Sequence, residues 1–366
     1  MNLLKNRFFS DYYTDRSAFI LNANAKSVTD RVVSRLVDLI PAGDLFYSRS
    51  LKESENFYRT ILRRGYARVF SGGGDGTLVN AINTIRRLSK NGLNNQIPAI
   101  GVLKLGTGNA MASIVGARSP WIDVNHVVKG GMITTRPMNL VECDNGELAP
   151  FAGIGYDGEI LNDYFSLKEA HKGKPTERLM HSLFGYLWVG LTRTIPRNLN
   201  HPQSWIRVVS QFDAHKIVCL QGRDQEHLIP ARTILYEGPS CLVSVGSIPY
   251  FGYGFKMFPF ADRKPGHIQL RICSSGVTPM ITHIYPGLWN GTYRHPELHD
   301  FLVKDVQIEC KKEMSYQIGG DAAGLKQNLS FKAAENVVEV AELSKQRLVA
   351  PRGMLGLLPA PIFARN

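Results

Sequence analysis

The sequence predicts an α/β domain followed by an all-β, sandwich-like domain, and three observations carry that expectation. At 366 residues the chain is longer than one ordinary core serves. From Ser17 to about Arg136 apolar strands alternate with amphipathic helices, the pattern of a parallel sheet covered by helices. After about Met132 helical patterns thin out, and short β-rich runs separated by turn residues replace them. The expected divisions are 1–132, then 133–345 with a last segment that can return to the first domain, and a Pro- and Gly-containing tail over 346–366.

In the first part, Ser17 to Leu21 reads as a strand. Val28 to Ile40 follows with Val32, Val33, Leu36, Val37 and Ile40 at helical spacing, stopped by Pro41-Ala-Gly43. Leu45 to Tyr47, the helical stretch Leu51 to Arg64 and the strand Ala67 to Phe70 make a second unit. Thr77 to Leu88 places Leu78, Ile82 and Ile85 on one helical face, and Pro98 to Leu103 is a buried-type strand. In the second part the runs are Trp205–Val209, Ile217–Leu220, Cys241–Val245, Ile268–Ile272 and Val306–Glu309. One helical stretch interrupts them, from Glu177 to Thr194. Its stripe of Leu179, Leu183, Tyr186, Leu187 and Leu191 reads as core-facing in preference to a membrane anchor, with an apolar substrate channel as a further alternative.

Composition narrows the function classes. Apolar residues at 44% and charged residues at 20% describe a globular chain. The net charge of +12 favours an anionic partner: phosphate, nucleic acid or an acidic membrane face. The five cysteines are scattered, with no C-x-x-C pair, so neither a disulfide framework nor a zinc knuckle is expected and a reducing compartment fits. Met1 to Asp15 lacks the apolar stretch of a secretory signal. The longest apolar run, Ser182 to Thr192, is short of the ~20 residues a membrane span needs. Arg63-Arg64 and Lys311-Lys312 are short basic clusters and no nucleic-acid motif accompanies them, so no nucleic-acid partner is expected.

The chemistry concentrates in Ser71-Gly-Gly-Gly-Asp-Gly-Thr77, directly after a strand and directly before a helix. Glycines let backbone N–H groups approach a polyphosphate, and a helix start adds unsatisfied donors and the positive end of the helix dipole. Asp75 in such a loop suits proton transfer or the Mg²⁺ that accompanies ATP, or else simply caps the helix. Lys104-Leu-Gly-Thr-Gly-Asn109 repeats the arrangement after the next strand, and two such loops at neighbouring strand ends describe a nucleotide crevice. Neither a P-loop nor a Rossmann fingerprint is present.

Gly73-Gly-Asp-Gly-Thr77 followed about thirty residues later by Gly106-Thr-Gly-Asn109 resembles the catalytic domain of diacylglycerol, sphingosine and ceramide kinases and their bacterial lipid-kinase relatives. The resemblance extends from about Ala18 to Leu343, through Phe151 to Glu159 and Tyr250 to Ala261. It implies an α/β nucleotide domain of the NAD-kinase/diacylglycerol-kinase type and a β-sandwich-like lipid domain. Asn22, Gly73, Gly74, Gly76, Thr77, Gly106, Thr107, Gly108 and Asn109 would contact ATP, and Asp75 would lie near Mg²⁺ and the acceptor hydroxyl. Asp157 would stand where the lipid enters. Gln317-Ile-Gly-Gly-Asp-Ala322 aligns with the family's Asp-Gly-Glu, placing Asp321 where the family has Glu and Gly319 where it has Asp. The family's Asn-Pro-x-x-Gly is here Asn22-Ala-Asn-Ala-Lys26.

The implied activity is ATP-dependent transfer of the γ-phosphoryl group to a hydroxyl of a diacylglycerol-, sphingoid- or related lipid, with Asp75 and Asp321 as the catalytic carboxylates. The implied setting is cytoplasmic and peripheral to an anionic membrane surface, with a homodimer as an allowed assembly. The alternatives are an NAD-kinase-like enzyme and a catalytically silent nucleotide- or lipid-binding protein. Residues Asn-Glu, typical of NAD kinases downstream of the shared loop, occur nowhere in the chain.

Overall fold

The computed structural model describes residues 15–93, 97–106, 108–199, 204–276, 279 and 282–343. Thr107, the tail over 346–366 and most of the amino-terminal segment therefore lie outside the described residues.

The first part is the alternation read from sequence: β1 (Ser17–Asn22), α1 (Asp30–Val37), β2 (Leu45–Ser48), α2 (Leu51–Arg63), β3 (Arg68–Gly73), α3 (Asp75–Lys90), β4 (Ala99–Lys104), α4 (Ala110–Ile114) and α5 (Pro120–Val128). The strands pair parallel in the order β2-β1-β3-β4. Both faces of β1 are buried, as a strand between helix layers requires. Ala18 and Ile20 pack with Ile61 of α2 and Leu78 and Ile82 of α3. Phe19 and Leu21 face the other way, toward Leu36 of α1 and Val124 of α5. Thr29 and Ser50 cap α1 and α2 by accepting the N–H groups of Val32 and Glu53. Helix α3 begins at Asp75, two residues before the expected Thr77 and immediately after Gly74, so the aspartate belongs to the helix's first turn.

The second part comprises β5 (Ile133–Cys143), β6 (Leu148–Ala149), β7 (Phe151–Gly155), α6 (Tyr156–His171), α7 (Glu177–Met180), α8 (Leu183–Val189), a π-helical turn over Gly190–Thr194 and α9 (Ile195–Leu199). It continues with β8 (Ser204–Ser210), β9 (Ala214–Leu220), β10 (Arg223–Ile229), β11 (Ile234–Ser240), β12 (Leu242–Gly246), β13 (Ile268–Cys273), β14 (Leu298–Val303), β15 (Asp305–Ile318) and β16 (Asp321–Leu343). Inward residues of these strands, among them Ile154, Val208, Val243, Leu270, Phe301, Ile308, Tyr316 and Phe331, form one core. The 23-residue β16 joins the two parts: it pairs antiparallel with β15 and β5, and Val340 then meets Ile100 of β4 in parallel.

Two expectations need correction. Helix α6, sixteen residues long, was not read from the sequence, because Asp157-Gly158 looks like a turn; tertiary packing overrides that local signal, and Gly158 is buried tightly enough that a Cβ would press on the Ser315 carbonyl. The stretch Glu177 to Thr194 is not a core-facing helix. It is broken into pieces, and Leu179 (51% exposed), Leu187 (37%) and Leu191 (56%) point outward, joined by Phe184 and Trp188.

Candidate active site

The site is built where strand ends and the β15–β16 turn meet. Asn22 ends β1, Gly73 ends β3 and Lys104 ends β4, so the two glycine loops emerge side by side from one edge of the parallel sheet. They touch backbone to backbone: a Cβ on Gly106 would collide with the Gly74 Cα. No other residue allows that approach. On Gly74 itself a Cβ would meet only the Gly106 Cα, at 3.8 Å, so the outer side of the loop is open to a ligand. That opening, at the start of a sixteen-residue helix, fits a polyphosphate.

Side chains lock the loops. The Asn22 side-chain amide donates to the Thr77 hydroxyl at 3.0 Å. Asp75 lies between the loops, accepting the Ala110 N–H on Oδ2 (3.0 Å) and the Met111 N–H on Oδ1 (3.1 Å). Burial pushes its carboxyl above the ordinary range, and those two N–H groups oppose the shift. Asp75 thus has a task the sequence did not disclose: it fastens the second loop to the first. Asn109 adopts a left-handed backbone (φ 52°), tolerable for asparagine, and its amide closes on Gly106, accepting its N–H at 3.0 Å and donating to its carbonyl at 2.7 Å. The amide expected at the nucleotide is used to shape its own loop. The Gly108 carbonyl accepts the Tyr253 N–H at 2.9 Å, which ties the segment Tyr250–Ala261 to the second loop.

The turn between β15 and β16 delivers Asp321 to the first loop, where a Cβ added to Gly76 would stand 2.7 Å from Asp321 Oδ2. Positive φ at Gly319 (59°) and Gly320 (90°) makes this tight reversal one that glycine adopts without strain. Asp321 is solvent-exposed, yet surrounding protein raises its carboxyl, and the charge of Lys168 draws it back down. Lys168, on α6, is itself lowered by burial and supported by Asp321, and its ammonium lies over the Phe165 and Tyr164 rings at 4.2 and 4.9 Å. Tyr253, 36% exposed, has its hydroxyl raised by burial and by the Asp75 charge. Neither Lys168 nor Tyr253 was singled out from sequence; Tyr253 lay inside a family-like segment, and Lys168 had no motif around it.

Asp157 stands elsewhere than the sequence suggested. It is 6% exposed and accepts the Ser244 hydroxyl (2.7 Å), the Gln317 amide (3.2 Å) and the Gly158 N–H (2.9 Å). Burial pushes its carboxyl up to about 6 despite these donors. Buried between β7, β12 and β15, it is not a lipid-facing group; it braces the strand that ends at the Asp321 turn. Among the described residues no group of three or more His, Cys, Asp or Glu side chains could hold a metal ion. A magnesium ion here would need phosphate oxygens in its shell beside one or two carboxylates, its usual mode with nucleotides.

The parallel sheet with paired glycine loops at its strand ends continues through β16 into antiparallel strands whose turn returns a carboxylate to those loops, and solved structures described as diacylglycerol kinases share this overall fold. Residues 17–142 match the family model of the diacylglycerol kinase catalytic domain. The structure of a diacylglycerol kinase from Bacillus anthracis str. Sterne superposes with a TM-score of 0.56 at 13% identity, covering 89% of this chain and 96% of that one. A candidate diacylglycerol kinase of the same strain gives 0.61 at 15% identity, over 90% and 95%. A third B. anthracis structure of that description gives 0.56 at 15% identity, over 89% and 96%. At such identity the likeness speaks for the fold. No curated protein matches the sequence significantly.

Proposed function

We propose that the protein is an ATP-dependent lipid kinase that transfers the γ-phosphoryl group to a hydroxyl of a diacylglycerol-, sphingoid- or related lipid. The observation that carries this reading is the meeting of Asp321 and Gly76, because it places a carboxylate with an elevated pKa, hence a stronger base, against the loop suited to phosphate. In this reading Gly73, Gly74, Gly76, Thr77, Gly106 and Gly108 hold the ATP phosphates. Asp321 accepts the acceptor hydroxyl's proton as the phosphoryl group transfers. Asp75 keeps the loops together, and its remaining lone pairs are available to the magnesium ion, which neutralises phosphate charge. Most of the rate gain would come from positioning and charge compensation. Tyr253 and Lys168 line the acceptor side. The surplus of positive charge suits work at an anionic membrane, and among the described residues no helix is long and apolar enough to cross one.

The test is phosphorylation with labelled ATP of a panel of diacylglycerol, ceramide, sphingosine, glycerolipids and NAD, with product identification. A labelled lipid supports the proposal and names the acceptor. Labelled NAD alone would replace it with an NAD-kinase activity, and ATP binding without any labelled product would make the chain a silent binder.

A further inference from the structure

The helical stretch 177–199 is amphipathic the wrong way round for a soluble surface. Several of its polar groups are turned inward and hydrogen-bonded. The Thr194 hydroxyl donates to Asp163 Oδ2 at 2.7 Å, and Arg197 pairs with Asp163 Oδ1 at 3.0 Å. The Asn198 amide donates to Glu159 Oε2 at 2.6 Å, so α9 and the π-helical turn before it are fastened to α6 by three side chains. At the other end the Lys26 ammonium, from the loop after β1, donates to the carbonyls of Arg178 (3.2 Å) and His181 (3.1 Å). These ties hold the stretch beside the site, since α6 also carries Lys168, whose charge acts on Asp321.

Val189 is buried, but six other apolar side chains point outward. Leu179, Phe184, Leu187, Trp188, Leu191 and Leu199 are between 37% and 57% exposed, and the Phe184 and Trp188 rings stack at 5.9 Å into one flat surface. Around them lie Lys172, Lys174, Arg178, Arg193 and Arg197, all exposed, against Glu177 as the one acidic residue between Lys172 and Leu199. Large apolar side chains exposed together on one short stretch mark an interaction surface. Leucine, phenylalanine and tryptophan ringed by lysine and arginine is the composition of a helix that lies in a membrane interface, where apolar side chains enter the acyl boundary and cations meet anionic headgroups.

We propose that this outer face docks on an anionic lipid bilayer and thereby holds the site around Asp321 at the membrane surface. The assignment rests on the lipid-kinase reading for its purpose, but the patch and its basic rim stand independently of it. Charge complementarity selects the occupant: a second copy of a chain with net charge +12 would set cations against cations.

The test uses the full chain in flotation with phosphatidylcholine vesicles, with and without phosphatidylglycerol. The wild type should bind the anionic vesicles, less so as salt rises. The triple variant Phe184→Ser, Trp188→Ser, Leu191→Ser should bind them about tenfold or more weakly. The pair Lys174→Glu, Arg193→Glu should lose the preference for anionic lipid while its apolar residues remain. In parallel, turnover of a short-chain diacylglycerol dispersed in detergent, which needs no docking, should be the same in the triple variant as in the wild type. Equal vesicle binding by wild type and triple variant would overturn the proposal, as would wild-type self-association through this face that the triple variant abolishes. If the wild type binds vesicles through these residues but phosphorylates no lipid in detergent, the kinase reading falls and the docking face stands.

Discussion

Asp75 and Asp321 sit at the same loop but are held so differently that their substitutions should separate. Asp321 stands beside Gly76, where an added Cβ would lie 2.7 Å from its Oδ2, and is solvent-exposed, so it is free to take a proton. Asp321→Asn keeps the shape and removes the base. Turnover should fall by about 10²–10⁴ with ATP affinity within a few-fold of wild type, as single-turnover kinetics and ATP titration would show. Asp75→Asn faces two N–H donors with one oxygen and one NH₂. Leaving one buried N–H unpaired costs about 1–3 kcal/mol. ATP affinity should therefore fall together with turnover; an Asp75 variant with intact ATP affinity would contradict the fastening role. Neither distinction is visible in the motif, where both residues are aspartates beside glycine.

The two glycine loops behave as one element because they share a backbone contact. Gly106→Ala would drive a methyl into the Gly74 Cα, with the Gly73 carbonyl 2.8 Å away, and neither backbone can yield as a flexible side chain would. Nucleotide binding should be lost while the sheet behind the loops persists, which ATP titration beside circular dichroism would register. The loops were legible in the sequence, since glycine clusters between a strand and a helix reflect a local backbone requirement. Helix α6 and the outward stripe of α7 to α9 were not. A run of leucines and aromatics has the same periodicity whether it faces a core or a bilayer, and only the polar anchors Asp163, Glu159 and Lys26 decide which side is in.

Across the whole molecule, buried charge sets the conditions under which the fold survives. Arg271 and Asp300, 1% and 3% exposed, form a bidentate pair at 2.7 and 2.9 Å, and Gln269 adds a third bond to Asp300 at 2.7 Å. Arg271→Met strands the Asp300 charge and should cost roughly 3–5 kcal/mol, measurable by denaturant unfolding. Asp157 imposes a pH dependence of its own. Its folded pKa of about 6 exceeds the unfolded value, so the folded state binds the extra proton. The stabilisation is complete below about pH 4 and is lost as pH rises through about 6, an effect of order 2–3 kcal/mol. The stability difference between wild type and Asp157→Asn, followed from pH 4 to 7, should move in the mutant's favour as pH rises; a constant difference would show that Asp157 titrates alike in both states.

By itself the sequence determined the fold class, the parallel order of strand and helix, and the pairing of two glycine loops, because periodicity, turn residues and glycine placement are consequences of local backbone geometry. It located Asp321 only through resemblance, since nothing between Gly76 and the β15–β16 turn, 245 positions later, announces that they meet. The tertiary structure alone decided that Asp75 is a fastener, that Asp157 is buried, that Lys168 acts on Asp321 and that a leucine stripe faces outward. Each depends on what stands opposite a side chain, and that is settled when β16 crosses from the antiparallel sheet to pair with β4.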